Sequence, residues 1–321
     1  MRFKRLLGVG LCCLLLHAAP AARAEDTIVT GLIGAANAVE WQFYIGVQKG
    51  FFADAGIKLD VIYVPTASGL VQQLAAGSLD IVDIGAVEPI HAVARGAPVA
   101  IIRISGAVSP YSIEAKSDIK TIKDLKGHTV VIGGLVDINR VYLERVLKAA
   151  GLKFGDVDTT IIGNTAGRFA ALKSGAADAT MLAPPVNFFA EEAGFRNIGM
   201  MIDYTKDLPF GATDVSLAFA EKHPDVLKRF IDAYNKCFVW FNDPANRDAA
   251  IELLVGEMKT NDRANVAKSY EYLRKIGFFQ NDSAISKKRL EALMDEMTAI
   301  GDTQGKVPLE KLLLPGARVT D

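Results

Sequence analysis

The chain has 321 residues, half of them apolar and 23% charged, with 36 basic and 37 acidic side chains. That composition excludes a disordered chain and supplies apolar material for a large core in about two domains. A formal net charge of −1 implies no basic surface for nucleic acid or anionic lipid.

At the N-terminus, Arg2, Lys4 and Arg5 precede an apolar run from Leu6 to Leu16, and Ala22-Arg23-Ala24 forms a small-x-small site. Residues 1–24 are therefore expected to be a secretory signal cleaved after Ala24. The run is shorter than the ~20 apolar residues of a spanning helix. Cys12 and Cys13 do not make a lipoprotein signal, because Leu11 stands where a small residue is needed. Cleavage leaves 297 residues, 32 basic and 37 acidic, for a net charge of −5. The one remaining cysteine, Cys237, is expected as a buried small hydrophobe in the helical stretch Phe230 to Phe241, so the exported chain holds together without a disulfide.

From Thr27 to Ile33 the pattern reads as a strand, followed by a loop from Gly34 to Val39 and a helix with Trp41, Tyr44, Ile45 and Val47 on one side. Gly56 then caps that helical stretch before a strand from Leu59 to Val64. Thr66-Ala67-Ser68-Gly69 opens a helix through Leu74, and Gly77 and Asp80 lead into the apolar run Ile81 to Ala86. A helix stopped by Gly96, a strand from Pro98 to Ile104 and a loop from Ser105 to Tyr111 follow. The short lead Ile122 to Gly127 enters a strand from Thr129 to Ile132, Gly133-Gly134, and a helix with Val141, Leu143, Val146 and Leu147 at helical spacing.

After the strand Thr159 to Ile162 the earlier motif recurs. Gly69, Leu74, Gly77 and Asp80 reappear 98 positions later as Gly167, Leu172, Gly175 and Asp178, without an insertion. Such a repeat predicts two α/β lobes of similar build. Asn187 to Ala193 reads as helix, Gly194 to Met201 leads to a strand, Tyr204 to Ala212 is a return crossing, and Val215 to Ala220 is expected as a strand rejoining the first lobe. The remainder is expected to be helical. The lobes are placed at 26–108 with 213–321, and at 109–212.

Enzymatic readings find little support. His91, His128 and His223 lie far apart with no ligand spacing. The chain has no Gly-x-Ser-x-Gly elbow, no Gly-Lys-Ser/Thr phosphate loop, and no Gly-x-Gly-x-x-Gly after the first strand. It offers instead helix N-termini entered by short loops at strand ends, around Ser68-Gly69, Gly85-Ala86, Gly133-Gly134, Gly167-Arg168 and Pro184-Pro185. In open α/β sheets such ends bind small polar ligands.

Thr66, Ser68 and Asn164 suit ligand contact or simple capping of their own helices. Arg168 stands in a first helical turn, where a cation opposes the helix dipole, which points to an anionic partner or to a paired surface arginine. Glu88 and Asp137 also suit first turns; facing a cleft, they imply a ligand with a donor or an amine. Trp41 suits stacking on a ligand or lobe packing. With Asn37, Gly69, Gly85, Ala86, Gly133, Gly134, Pro184 and Asn187, these are the candidate ligand-binding residues.

Laid side by side, Lys49-Gly50-Phe51-Phe52 with Gly56-Ile57, Ser68-Gly69, the Leu74 to Asp80 stretch, Ala94 to Val99, Leu125-Lys126-Gly127, Gly151-Leu152, Asp156-Val157, Ala171-Leu172 with Gly175 and Asp178, and His223-Pro224 cover most of the mature chain. In that order they resemble the periplasmic solute-binding proteins of ABC importers in the nitrate, sulfonate, taurine and thiamin-precursor group. The resemblance implies a type II binding-protein fold: two α/β lobes, two crossovers and a ligand closed between them, with Ser68, Gly85, Ala86, Gly133 and Gly134 lining the cleft. It implies a periplasmic, monomeric, non-enzymatic protein without cofactor or metal, handing a small organic anion, a sulfonate or carboxylate that can be aromatic, to a membrane permease. Glu88 and Asp137 depart from the group, against a simple inorganic anion such as nitrate. A pyrimidine thiamin precursor stays open as ligand. So does an enzyme related to thiamin-pyrimidine synthesis, although the Cys-rich iron-binding stretch of those enzymes is missing.

Overall fold

The computed structural model describes residues 25–321. The signal expected at residues 1–24 lies outside the described residues.

In chain order the first elements are β1 (Asp26–Ile33), α1 (Trp41–Gln48), α2 (Phe51–Asp54), β2 (Ile57–Val64), α3 (Ala67–Ala75), β3 (Ile81–Gly85), α4 (Val87–Ala94) and β4 (Val99–Gly106). Then come β5 (Ser112–Ala115), β6 (Thr129–Ile132), α5 (Ile138–Ala149), β7 (Asp158–Ile161), α6 (Thr165–Ser174), β8 (Ala179–Leu182), α7 (Val186–Glu192) and β9 (Arg196–Met200). The chain ends with α8 (Ile202–Thr205), β10 (Gly211–Ser216), α9 (Leu217–Lys222), α10 (Pro224–Asn242), α11 (Arg247–Met258), α12 (Arg263–Lys275), β11 (Ile285–Ser286), α13 (Lys287–Ala299), α14 (Leu309–Leu312) and β12 (Val319–Thr320).

Two five-stranded sheets have the same plan. The first runs β2-β1-β3-β10-β4 and the second β7-β6-β8-β5-β9. In each, a central strand pairs parallel with two neighbours, and one antiparallel strand is inserted from the other side of a crossing: β10 against β3 and β4, β5 against β8 and β9. The motif copies lie in separate sheets.

The repeat is carried by hydrogen bonds as well as by residue identity. Thr66 Oγ1 accepts from the Gly69 amide at 3.1 Å, and Asn164 Oδ1 from the Gly167 amide at 2.8 Å. Each cap satisfies a helix amide that has no intrahelical partner. Both helices end at glycines with positive φ, Gly77 at 75° and Gly175 at 80°, a conformation that costs other residues strain. The aspartates that follow grip the central strands. Asp80 accepts from Val29 N at 2.8 Å and returns its own amide to Val29 O; Asp178 does the same to Thr129, at 2.9 Å for the carboxylate bond.

Three details differ from the sequence expectation. The strand after the return crossing is β10, at Gly211–Ser216, and Leu217 already begins α9. An apolar run too short to show its period concealed that switch. Val47 is 49% exposed, whereas Gln42, Phe43 and Gly46 are buried with Trp41, Tyr44 and Ile45. α1 is wedged between α10, α11 and the single 3-10 turn Ala38–Glu40, so burial wraps most of its circumference rather than one stripe. Short strands β11 and β12 pair within the otherwise helical C-terminal region.

Trp41 is the centre of that wedge. It is fully buried, its indole N–H donates to Ala250 O at 3.0 Å, and it meets Phe241 and Tyr270 edge-on at 5.2 and 5.9 Å. Lobe packing therefore accounts for it, and it is not placed to stack on a ligand. Trp41→Ala is expected to lower unfolding free energy by about 3–5 kcal/mol, through the lost transfer and the cavity left behind. Chemical denaturation of the two mature proteins measures it; a loss below about 1 kcal/mol would contradict this packing role.

Candidate functional site: an acid-lined cleft between the lobes

The carboxyl ends of the parallel strands in both sheets converge on one cavity of about 60 Å³. Lobe one contributes Ile33, Asn37, Glu40, Ala67, Asp83, Gly85 and Glu88; lobe two contributes Asp137, Asn139, Gly163, Thr165 and Arg168; Tyr111 and Phe210 come from the two crossings. A larger groove of about 820 Å³, between α10 and the C-terminal residues Leu313–Ala317, lies away from these strand ends. It is no part of the cleft.

The lobes touch around the cavity. A Cβ added at Gly34 would stand 2.8 Å from the Asn164 side chain, and one at Gly163 would stand 2.8 Å from Pro65 O. The Ala38 amide donates to Pro184 O at 3.4 Å, and Gly85 faces Ile138 so closely that a Cβ would come within 3.0 Å of it. Farther out, Lys268 on α12 pairs with Glu192 on α7 at 3.3 Å. This is a closed arrangement. The crossings run side by side beneath it: the Phe210 amide donates to Gly106 O and the Ala86 amide to Phe210 O, each at 2.9 Å, and Tyr111 meets Phe210 edge-on.

Of the candidate residues, Asn37, Gly85, Glu88, Asp137 and Arg168 line the cavity. Asn37 caps residues 38–40 and donates to Glu40. The others are accounted for elsewhere. Thr66 spends its hydroxyl on the Gly69 amide, and Ser68 is exposed beside it, while Ala67 between them reaches the cavity. Ala86 is buried behind the Phe210 contact, and the Asp137 carboxylate covers Gly133 and Gly134. Asn164 caps α6 and Pro184 bridges the lobes through its carbonyl. Asn187 is fully buried with neither side-chain polar atom hydrogen-bonded, outside the lining residues.

Arg168 is neither solvated nor at the surface. It is 1% exposed and donates from Nε to Met181 O (3.0 Å), from Nη1 to Ile162 O (3.3 Å) and Gly163 O (3.4 Å), and from Nη2 to Thr165 Oγ1 (3.1 Å). Its guanidinium carbon lies 5.8 Å from the Tyr111 ring centre. The side chain thus satisfies carbonyls at the ends of β7 and β8 before any ligand is considered.

The other charges are acidic. Glu40 accepts from the Ile33 amide (3.0 Å), Asn37 Nδ2 (2.9 Å) and Tyr44 OH (2.9 Å), and burial raises its carboxyl to about 8. Asp83 accepts from Ser105, Thr213 and Tyr234, and burial raises it to about 7. Asp137 caps α5 through Asn139 N at 2.7 Å; burial pushes it up to about 6, against the opposing pull of Arg168. Glu88 is raised well above the usual carboxylate range by burial and then by the charge of Asp137, and its Oε2 has no partner. Glu40 and Asp83 are absent from the sequence candidates. Asp83 left a signal, a lone carboxylate inside the apolar run Ile81 to Ala86; Glu40 left none that distinguishes it from a helix-start acid.

Among the described residues, no group of three or more His, Cys, Asp or Glu is placed to hold a metal ion. What the cavity offers is shape, a screened dielectric and hydrogen-bonding atoms.

Carboxyls raised in the folded state hold protons there that the unfolded chain has released. Their stabilisation is therefore complete below the unfolded values near pH ~4 and is lost as pH rises through the folded ones. Between pH 5 and 8.5 the melting temperature is expected to fall, with Glu40, Asp83, Glu114 and Asp137 as the cause and the more strongly raised Glu88 and Asp214 acting in the same direction. Glu40→Gln is expected to make the upper half of that decline shallower. Scanning calorimetry across this range measures both, and a flat or rising wild-type profile would refute the assignment.

Residues 37–246 match the family model described as NMT1/THI5 like. The chain is 25% identical to the formylaminopyrimidine-binding protein of Halalkalibacterium halodurans over 253 residues, which is 75% of this chain and 73% of that one. Its fold matches the ligand-binding component of an ABC-type import system from Staphylococcus aureus, with a TM-score of 0.79 at 14% identity over 91% of this chain and 98% of the other. It also matches the periplasmic aliphatic sulphonate binding protein of Escherichia coli, with a TM-score of 0.69 at 19% identity over 92% and 94%. These likenesses establish the periplasmic-binding-protein fold, and the family match across most of both lobes means that the chain belongs to the NMT1/THI5-like family.

Proposed function

We propose that this protein is the extracytoplasmic substrate-binding component of an ABC importer. Exported on the signal at residues 1–24, cleaved after Ala24, it works as a monomer in the periplasm. There it captures a small organic solute between lobes 26–108 with 213–321 and 109–212, and delivers it unchanged to a membrane permease. The observation that carries this reading is the closed cavity built from the strand ends of both sheets, with a helix terminus or cap at each edge. Such a site binds by enclosure, and opening the lobes releases the solute. Nothing in the reading requires a nucleic acid, a cofactor or a catalytic group.

Two ligand classes fit the family. A small organic anion, a sulfonate or carboxylate, would take its counter-charge from Arg168. A pyrimidine thiamin precursor would instead use acceptors, and here a specific observation favours it: of the buried lining atoms without partners, Asn139 Oδ1 is an acceptor and Glu88 Oε2 is one when its carboxyl is ionised.

A ligand that binds only the folded state stabilises it by RT ln(1 + [L]/Kd), or ~2.7 kcal/mol at a hundredfold excess. In a chain this long that is a rise of at least a few degrees in melting temperature. At least one member of a panel of small sulfonates, carboxylates and pyrimidines is expected to produce such a rise and to be recovered intact by mass spectrometry. A chemically altered product would favour the related enzyme, and no shift across the panel would remove support for the ligand classes.

Arg168→Ala is expected to cost on the order of 2–4 kcal/mol of folding stability, since several buried carbonyls lose their donors. If the solute is an anion it is also expected to weaken binding at least tenfold. Melting curves with and without ligand separate the two effects.

A further inference from the structure

We propose that the cleft recognises a cationic nitrogen group, of the amidinium or ammonium class, held between Glu88 of lobe one and Asp137 of lobe two; this rests on the reading of the cleft as a solute site.

Glu88 lies in the first turn of α4 and Asp137 caps α5, so the two carboxyls enter the cavity from opposite lobes. Both are more than nine-tenths buried, at 6% and 8% exposure. Helix N-termini favour the ionised form of each, but two carboxylates facing each other in a dry cleft repel, and burial penalises both charges. A bound cation removes both penalties at once. It turns like-charge repulsion across the lobe interface into attraction of each lobe for the same group, so that binding and closure are one event.

The unpaired atoms agree. Glu88 Oε2 and Asn139 Oδ1, both on buried residues lining the cavity, lack partners; Asn139 Oδ1 is an acceptor, and Glu88 Oε2 becomes one when a cation favours its ionised form. An amidinium supplies several N–H donors from one plane. Arg168 is the single cation among the lining residues, and it already donates to three carbonyls and a hydroxyl. The remaining charged or titratable neighbours are acidic or phenolic, apart from His91, which is engaged by Asp302. Glu40 and Asp83 line the cavity, Tyr111 lies beside Arg168, Asp214 on β10 is fully buried with both oxygens unpaired, and Asp302 behind Glu88 is engaged by His91 at 2.7 Å.

The test uses shape-matched probes of opposite charge on the mature protein: acetamidinium against acetate, and benzamidinium against benzoate, by calorimetric titration at constant ionic strength from pH 6 to 9. At least one amidinium is expected to bind tenfold or more tightly than its carboxylate twin. Its affinity is expected to rise with pH, because the probe stays cationic while the carboxyls ionise. Glu88→Gln keeps the shape of the side chain and is expected to weaken amidinium binding at least tenfold. A carboxylate that binds more tightly than its twin, an affinity that falls with pH, an unchanged Kd in a folded Glu88→Gln protein, or no binding of either amidinium would overturn the proposal. If these probes fail while a sulfonate, carboxylate or uncharged pyrimidine binds, the solute-binding reading stands and the cation assignment alone falls. If nothing binds, both fall.

Discussion

Each lobe depends on one doubly hydrogen-bonded aspartate. Asp80 and Asp178 close the corner between a helix and the strand after it by gripping a single residue of the central strand, Val29 or Thr129, through both carboxylate and amide. The carbonyl of each aspartate then receives the amide of a residue from the inserted antiparallel strand or its end: Ser216 in lobe one, Lys116 in lobe two. One residue, through its side chain and its backbone, thereby ties together three strands. With those strands tied, the carboxyl ends of the parallel strands, and the helix starts that follow them, fall at the same level in both lobes and face each other.

A cleft made this way presents helix amides and dry walls, and those two properties have opposite effects on a carboxylate. The N-terminal dipole and cap bonds favour charge at Asp137, whereas burial resists it there and at Glu40, Asp83 and Glu88. Burial wins at all four, so the closed cavity is a place where protons are held. Proton uptake, arrival of a positive group and separation of the lobes are three ways to relieve the same stress. This links the chemistry of the ligand to the motion that admits it.

Much of this was legible in the sequence because the repeat exposes local rules twice. Caps at Thr66 and Asn164, positive-φ glycines at Gly77 and Gly175, and the two aspartates are short-range devices, and each shows at the same 98-residue offset. Tertiary choices were less visible. Trp41 beside a cleft loop reads equally as ligand platform or core, and only the helices α10 to α12, two hundred residues away in sequence, decide for the core. Glu40 looks like a first-turn acid; its role comes from Ile33 and Tyr44 closing around it. The switch from β10 to α9 at Leu217 passes through residues that suit either state, and pairing with β3 and β4 ends the strand.

The same repeat shows how two similar lobes make an asymmetric site. Leu70 and Arg168 occupy equivalent positions, and their amides bond to equivalent carbonyls, Thr66 O and Asn164 O. In lobe one the leucine is fully buried and packs among Val64, Leu74 and Val82, which closes that position to chemistry. In lobe two the arginine turns the position into a cation beneath the cavity, whose charge favours an ionised Asp137. Lobe one has no counterpart to that cation among the residues lining the cavity, so Glu88 faces the cleft with nothing there to favour its ionised form and one oxygen unbonded. One wall therefore holds a carboxylate beside a cation and the other an unsatisfied one, and the unsatisfied wall is where a ligand has most to contribute.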